Sequence, residues 1–264
     1  MRLTMSNISF EYYYLSGKNI PLKRYNLGVI KQLTLNDFID YEMDTNEFVQ
    51  PFILNKSIML NKSDSIDKVL ENIKDLSFLF LYEQLTEYSI VSNLLKSLSM
   101  LYQTENVYVD NKNIAIIIID EANSSKYIIN DDNFSILSTI VCEMMDIDKS
   151  KVTKVEPKKE MSDIEKEFER RRKEYEERVG KKSDKSLTIL DMINISIHSS
   201  NFTYNDMLDM TLYQVKNSFD VLTKKDTYET TVMYMVSPKF EFKDKQEHWI
   251  EKIKINKSTL SRND

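Results

Sequence analysis

Glycine is scarce in this 264-residue chain: it occurs three times, as Gly17, Gly28 and Gly180, where ordinary usage of ~7% would give roughly eighteen. Phosphate-cradling loops, dinucleotide fingerprints and nucleophile elbows each need clustered glycines, because only glycine lets the backbone turn that tightly or approach a ligand that closely. None of those sites can be built from three scattered ones. Cysteine is almost absent too, with Cys142 alone, and the two histidines, His198 and His248, lie fifty positions apart. A structural zinc site takes about four such ligands and a disulfide takes two thiols, so neither forms within one chain. A lone thiol fits a reducing compartment.

Long apolar runs are also missing. The longest, around Leu76 to Tyr82 and Ile114 to Ile119, fall far short of the ~20 residues of a membrane span. The start, MRLTMSNISFEYYY, places polar residues where a signal peptide would be apolar. No excess of positive charge offsets this: 36 Lys and Arg face 42 Asp and Glu, a net charge of -6. That balance argues against nucleic acid, whose phosphates call for a basic face. The expectation is a chain in the cytoplasm, with no metal, no cofactor and no catalytic site, and not an enzyme.

What is present reads as an α+β, mostly α-helical protein. Residues 8 to 25 read as a β-hairpin around Ser16-Gly17-Lys18-Asn19, since aromatics and Ile flank a turn-forming cluster. Thr34-Leu35-Asn36-Asp37 has the spacing of a capping box, opening a helix from 35 to 49 that stops before Pro51. From Ser63 to Tyr102 apolar residues recur at helical steps, giving core helices. A second hairpin spans 106 to 119 with a third strand at 126 to 129, and its near-continuous isoleucines predict a strand covered on both faces. A buried helix follows over 133 to 145.

Composition changes after Met145. We place an N-terminal α+β domain at 1–148, a charged linker and exposed helix at 149–182, and a C-terminal helical domain with a tail at 183–264. Ser162 to Gly180 carries seven acids and six bases with only Ile164, Phe168, Tyr175 and Val179 to bury, a stripe too narrow for deep burial. Arg170-Arg171-Arg172-Lys173 lies among glutamates, which favours a solvated, charge-paired face over a phosphate patch and leaves a partner open. Thr188/Asp191 and Thr203/Asp206 start further helices. Leu208, Leu212, Val215, Phe219 and Leu222 form the cleanest helical stripe, and Thr227 to Met235 reads as a separate third helix.

Each chemical candidate has a plainer reading. The pairs Asp131/Asp132, Asp120/Glu121 and Asp206/Asp209 flank turns or helix starts and read as caps rather than acid–base pairs. Cys142 sits in an apolar run as an inert thiol, and both histidines read as structural or exposed. The thirteen methionines suit core packing, or a peptide-binding surface where exposed together. Trp249 docks either on its own chain or on a partner.

The N-terminal hairpin, Leu27-Gly28-Val29-Ile30 before a helix, the charged spacer helix, Phe202-Thr203-Tyr204 running to Leu208-Asp209-Met210-Thr211-Leu212-Tyr213-Gln214, and the late Trp249 together resemble a family encoded in the tail-morphogenesis region of phages of low-GC Gram-positive bacteria. Leu208 stands where that family carries an aromatic. The resemblance implies a tail assembly role in the host cytoplasm: a chaperone-like protein acting by protein–protein contact with other phage tail proteins, the tape-measure protein among them, or alternatively a structural virion protein of tail, neck or baseplate. It implies no catalytic residues, and a homo-oligomer fits it. The residues expected to meet a partner are Phe168, Tyr175, Leu208, Leu212, Phe219 and Trp249.

Overall fold

The computed structural model describes residues 10–54, 73–85, 88–121, 123–147, 187–236 and 247–253. The charged helix of 162–180, with Phe168 and Tyr175, lies outside the described residues, as do the boundaries drawn around 148 and 183. The fold class is as read: α+β and mostly helical, with small antiparallel sheets.

The opening departs from the expected hairpin. Helix α1, Phe10–Ser16, replaces its first strand, and the strands are β1, Ile20–Pro21, and β2, Val29–Ile30, paired antiparallel around the loop 22–28. Aromatic residues favour strands on propensity alone, but here a helical step puts Phe10 and Tyr14 in stacked contact at 6.5 Å and buries Tyr14. Tertiary burial outweighs propensity. Gly28 is required in the loop: its φ is +69°, and a Cβ there would stand 2.4 Å from the Tyr127 ring.

Two helices replace the single one expected at 35 to 49. Helix α2, Leu35–Asp40, has the Thr34/Asp37 capping box as read. Helix α3, Thr45–Ile53, starts from Asp44, whose side chain accepts from Asn46 N–H, and it contains Pro51 rather than stopping before it. The break between them passes through Glu42 with a positive φ of 47°. Pro51 removes the donor to the Glu47 carbonyl, but Glu47 is exposed, so water can take its place.

Helices α4, Asp75–Leu85, and α5, Ile90–Tyr102, are the expected core helices, burying Leu76 and Leu79 from the first and Leu94, Leu98 and Leu101 from the second. Strands β3, Val107–Asp110, β4, Ala115–Asp120, and β5, Ser125–Ile129, form the expected three-stranded meander. Burial corrects one detail: Ile116 and Ile118 are buried, while Ile117 is half-buried and Ile119 exposed. The sheet covers one face and leaves the other open. Helix α6, Asp131–Met144, packs on α3 and α4 and begins two residues earlier than read, because Asn130 and Asn133 form its capping box. Asp131 caps a different helix: its carboxylate accepts from Ser77 N–H of α4 at 3.0 Å.

The chain ends in helices α7, Ile189–Ser199, α8, Tyr204–Leu208, α9, Leu212–Met235, and α10, Trp249–Lys252. One buried apolar cluster runs from Tyr14 through α2 to α6 and on to Ile193, Met207, Leu212, Tyr213 and Val215. The C-terminal helices therefore share the core of the N-terminal body.

Candidate interaction surface

Three of the C-terminal helices begin with the same local device. Thr188/Asp191, Thr203/Asp206 and Thr211/Gln214 are capping boxes in which each threonine oxygen accepts from the third residue's N–H and that residue's side chain accepts in return. The first two were read from sequence. The third was missed, although Thr-Leu-Tyr-Gln has the required spacing. Consequently the stripe from Leu208 to Leu222 is broken: Leu208 closes α8, a turn crosses Asp209 to Thr211, and Leu212 opens α9. The separate helix expected at 227 to 235 is instead the end of α9. Nothing breaks the backbone between Leu222 and Thr227, and the Asp220–Lys224 and Lys225–Glu229 pairs, four apart, bridge it.

The turn before α9 and the first residues of α9 are tied on three sides. Leu35 N–H donates to the Met210 carbonyl at 3.1 Å, and Asn36 Nδ2 donates to Asp209 at 2.7 Å. Gln214 Nε2 donates to the Leu15 carbonyl of α1 at 2.9 Å, and Lys216 Nζ to the Met145 carbonyl at the end of α6 at 2.9 Å. A cation at a helix C-terminus complements its dipole. Tyr213 meets Tyr14 at 5.5 Å, and Tyr14 OH donates to Glu143 at 2.8 Å. Burial, then the negative charge of Glu143 and Glu11, pushes the Tyr14 phenol well above its ordinary value. Burial raises Tyr213 as well, with Asp146, Glu11 and Glu143 acting in the same direction. Burial also lowers Lys216, against the pull of Asp146. These groups hold two parts of the chain together.

Further along, α9 leaves the body. From Leu212 to Val215 it is largely buried, from Lys216 to Lys224 half-buried, and from Lys225 onward mostly exposed. Its end presents Met233, Tyr234, Met235 and Val236, the last 79% exposed. Helix α7, packed on α9, leaves Leu190 outward at 71%. Apolar side chains so exposed and so close in sequence are a feature of contact surfaces.

The expected partner residues separate on this structure. Leu212 is buried in the chain's own core, Leu208 is half-buried against it, and Phe219 is half-buried on the middle of α9. Trp249 is half-buried, in α10 packed on α9, where His248 caps the helix through Nδ1 and meets Tyr228 at 4.8 Å. Trp249 thus packs in part against its own chain. Met233 and Met235 belong to the methionines that read as core or, where exposed together, as a peptide-binding surface, and they are 71% and 38% exposed.

The acidic candidates have structural partners. Asp120 accepts from Asn123 N–H and Nδ2, Glu121 from Asn106, and Asp206 from Thr203, whose backbone and hydroxyl hydrogen bonds hold that carboxyl below the usual range. Cys142 is buried, and His198 is exposed at the end of α7. Among the described residues no group of three potential ligands could hold a metal, and no helix is long and apolar enough to cross a membrane.

The C-terminal part is thus a helical segment anchored in the core at one end and apolar at its exposed other end. Residues 180–254, which contain it, are similar to a family model described as the YomV second domain, a phage-derived family named for a Bacillus prophage protein. The match supports a phage link over these residues and says nothing of tail morphogenesis. No curated protein and no solved structure matches the chain.

Proposed function

We propose that the chain is a phage protein that works by protein–protein contact, with the exposed end of α9 as its principal contact surface. The observation that carries this reading is the placement of Met233, Tyr234, Met235 and Val236 outside the core, within the segment similar to a phage-derived family. Flexible thioethers beside an aromatic adapt to a partner's apolar helix face. The finer role follows the tail-morphogenesis resemblance: a chaperone-like protein of tail assembly, in the host cytoplasm, that covers apolar faces of the tape-measure protein until assembly.

Co-expression with the tape-measure protein of the same genome tests it. The tape-measure protein is expected to co-purify and to gain solubility, and Met233→Asp with Val236→Asp to remove both effects without loss of folding. Absence of co-purification and of any gain in solubility rejects the chaperone role. Mass spectrometry of purified particles separates it from a structural virion protein, which would be retained in stoichiometric amount.

A further inference from the structure

The chain that leaves the body along α9 comes back to it. Beyond Val236 it meets α9 again at α10, where the His248 ring lies 4.8 Å from that of Tyr228 and Trp249 is half-buried. Helical geometry sets this contact on a particular side of the exposed end. Tyr228, Thr231, Val232 and Met235 follow at three- and four-residue steps and so line one face. From Lys225 to Val236 the first three are the half-buried residues, and Met235, at 38%, is the least exposed from Met233 to Val236.

A helix that docks on another uses more than one turn of it, because its apolar anchors recur at steps of three, four and seven residues. Met233 to Val236 is a single turn. Met235 and Val236 stand three and four residues beyond Val232, so a partner's helix laid on them extends back along the same face towards Tyr228. That is where α10 sits. The seat is lightly held. Helix α10 has four residues, its cap is His248 Nδ1 accepting from Ile250 N–H at 3.3 Å, and His248 and Ile250 are exposed. A short helix that is half-buried or exposed along its length belongs to the part of a fold that opens first.

We infer that α10 is a displaceable cover on the contact face of α9: the partner's apolar helix lifts it and puts an aromatic side chain of its own where the His248–Trp249 pair now lies. This rests on the reading of α9 as a contact surface and adds how that surface is kept closed. The two rings of the cover are 5.8 Å apart and meet α9 at a tyrosine. Tyr228 offers a replacement the same ring edge and face. The partner's apparent affinity is then its intrinsic affinity multiplied by the fraction of molecules in which α10 has lifted. A seated α10 therefore weakens every partner, and a helix that reaches from Val236 to Tyr228 regains most from removing it.

Two measurements on the full chain test the cover, one without a partner and one with it. Trp249→Ala is expected to raise the emission of bound anilinonaphthalene sulfonate, with far-UV circular dichroism unchanged, and Val232→Asp in the same chain to cancel the gain. No gain, or a gain that Val232→Asp leaves in place, overturns the inference. With the tape-measure protein of the same genome, Trp249→Ala is expected to bind about ten-fold tighter than the parent, and His248→Ala, which removes both cap and ring, about five-fold tighter. Trp249 is the only tryptophan, so the fluorine resonance of fluorotryptophan in the parent reports its place, and it is expected to move to the solvent-exposed position on binding. Binding that Trp249→Ala leaves equal or weakens, or that leaves the resonance where it was, overturns the cover and spares the contact reading. A dye gain that Val232→Asp cancels, with no binding by either protein, upholds the cover and rejects the tape-measure protein as the partner.

Discussion

The two ends of α9 share one backbone and differ in almost everything else. From Asp209 to Lys216 the turn before the helix and its first residues meet α1, α2 and α6 through buried side chains and four hydrogen bonds that cross the chain. From Lys225 to Met235 only Tyr228, Thr231 and Val232 are partly covered. Helical continuity is therefore no guide to how firmly a segment is held. A helix of 24 residues, ~36 Å long at 1.5 Å per residue, can be rooted in a core at one end and carry an apolar surface out of it at the other.

The sharpest way to break this contrast is truncation. Leu212→Ala removes a buried side chain shared by both parts of the core, and a loss of about 2–5 kcal/mol is expected in urea unfolding. Met233→Ala, at 71% exposure, is expected within about 0.5 kcal/mol of the parent. Equal losses would show that the distal half is packed as firmly as the root.

The second way is alkaline pH. Tyr14 and Tyr213 at the root, and Tyr102 with its hydroxyl on the Leu27 carbonyl, have phenols raised above the ordinary 10.0, by burial first. A group with a raised native pKa contributes stability that is complete below its unfolded value and is lost as pH rises towards the native one. Stability is expected to be level below about pH 10 and to fall above it, by about 1.4 kcal/mol per pH unit for each phenol ionised only in the unfolded chain. Tyr14→Phe should flatten that fall in a series of urea titrations from pH 9 to 11. An unchanged slope would show that Tyr14 is not sealed at the root. Smaller again is the cap: Thr211→Ala is expected to lower stability by about 1 kcal/mol, and Thr231→Ala, half-buried beyond the root, by less than half of that.

How much of this was legible follows from the range of each signal. Thr34/Asp37, Thr188/Asp191 and Thr203/Asp206 close within four residues, so the sequence carries them whole. The β3–β5 meander was equally local, with a turn at 111–113 between its first strands. Helix α1 was misread because Phe10, Tyr13 and Tyr14 are aromatic, and what makes them helical is contact with Tyr213 and Gln32, far along the chain. Pro51 was taken as a stop because its missing donor is visible in sequence and the exposure of Glu47 is not. The stripe from Leu208 to Leu222 identified the right helix but not its surface. Periodicity says which residues face one way, while only the fold says that the beginning of that face is core and that the exposed apolar groups lie further on.

Trp249 gives the gentlest test, because it is the only tryptophan and sits on α9 well beyond the root. Its ring meets His248 at 5.8 Å, His248 meets Tyr228, and the short α10 that carries it has four residues. Among the described residues of this contact Tyr228 and Trp249 are half-buried and His248 exposed, so it should open with a smaller free energy than the body. In urea, the Trp249 emission is expected to shift to the red ahead of the far-UV circular dichroism transition, and Tyr228→Ala to move the emission change to lower urea while leaving the main transition in place. Two transitions that coincide for the parent and move together in the variant would mean that root and tip unfold as one unit, and the contrast between the two ends of α9 would then be one of exposure alone.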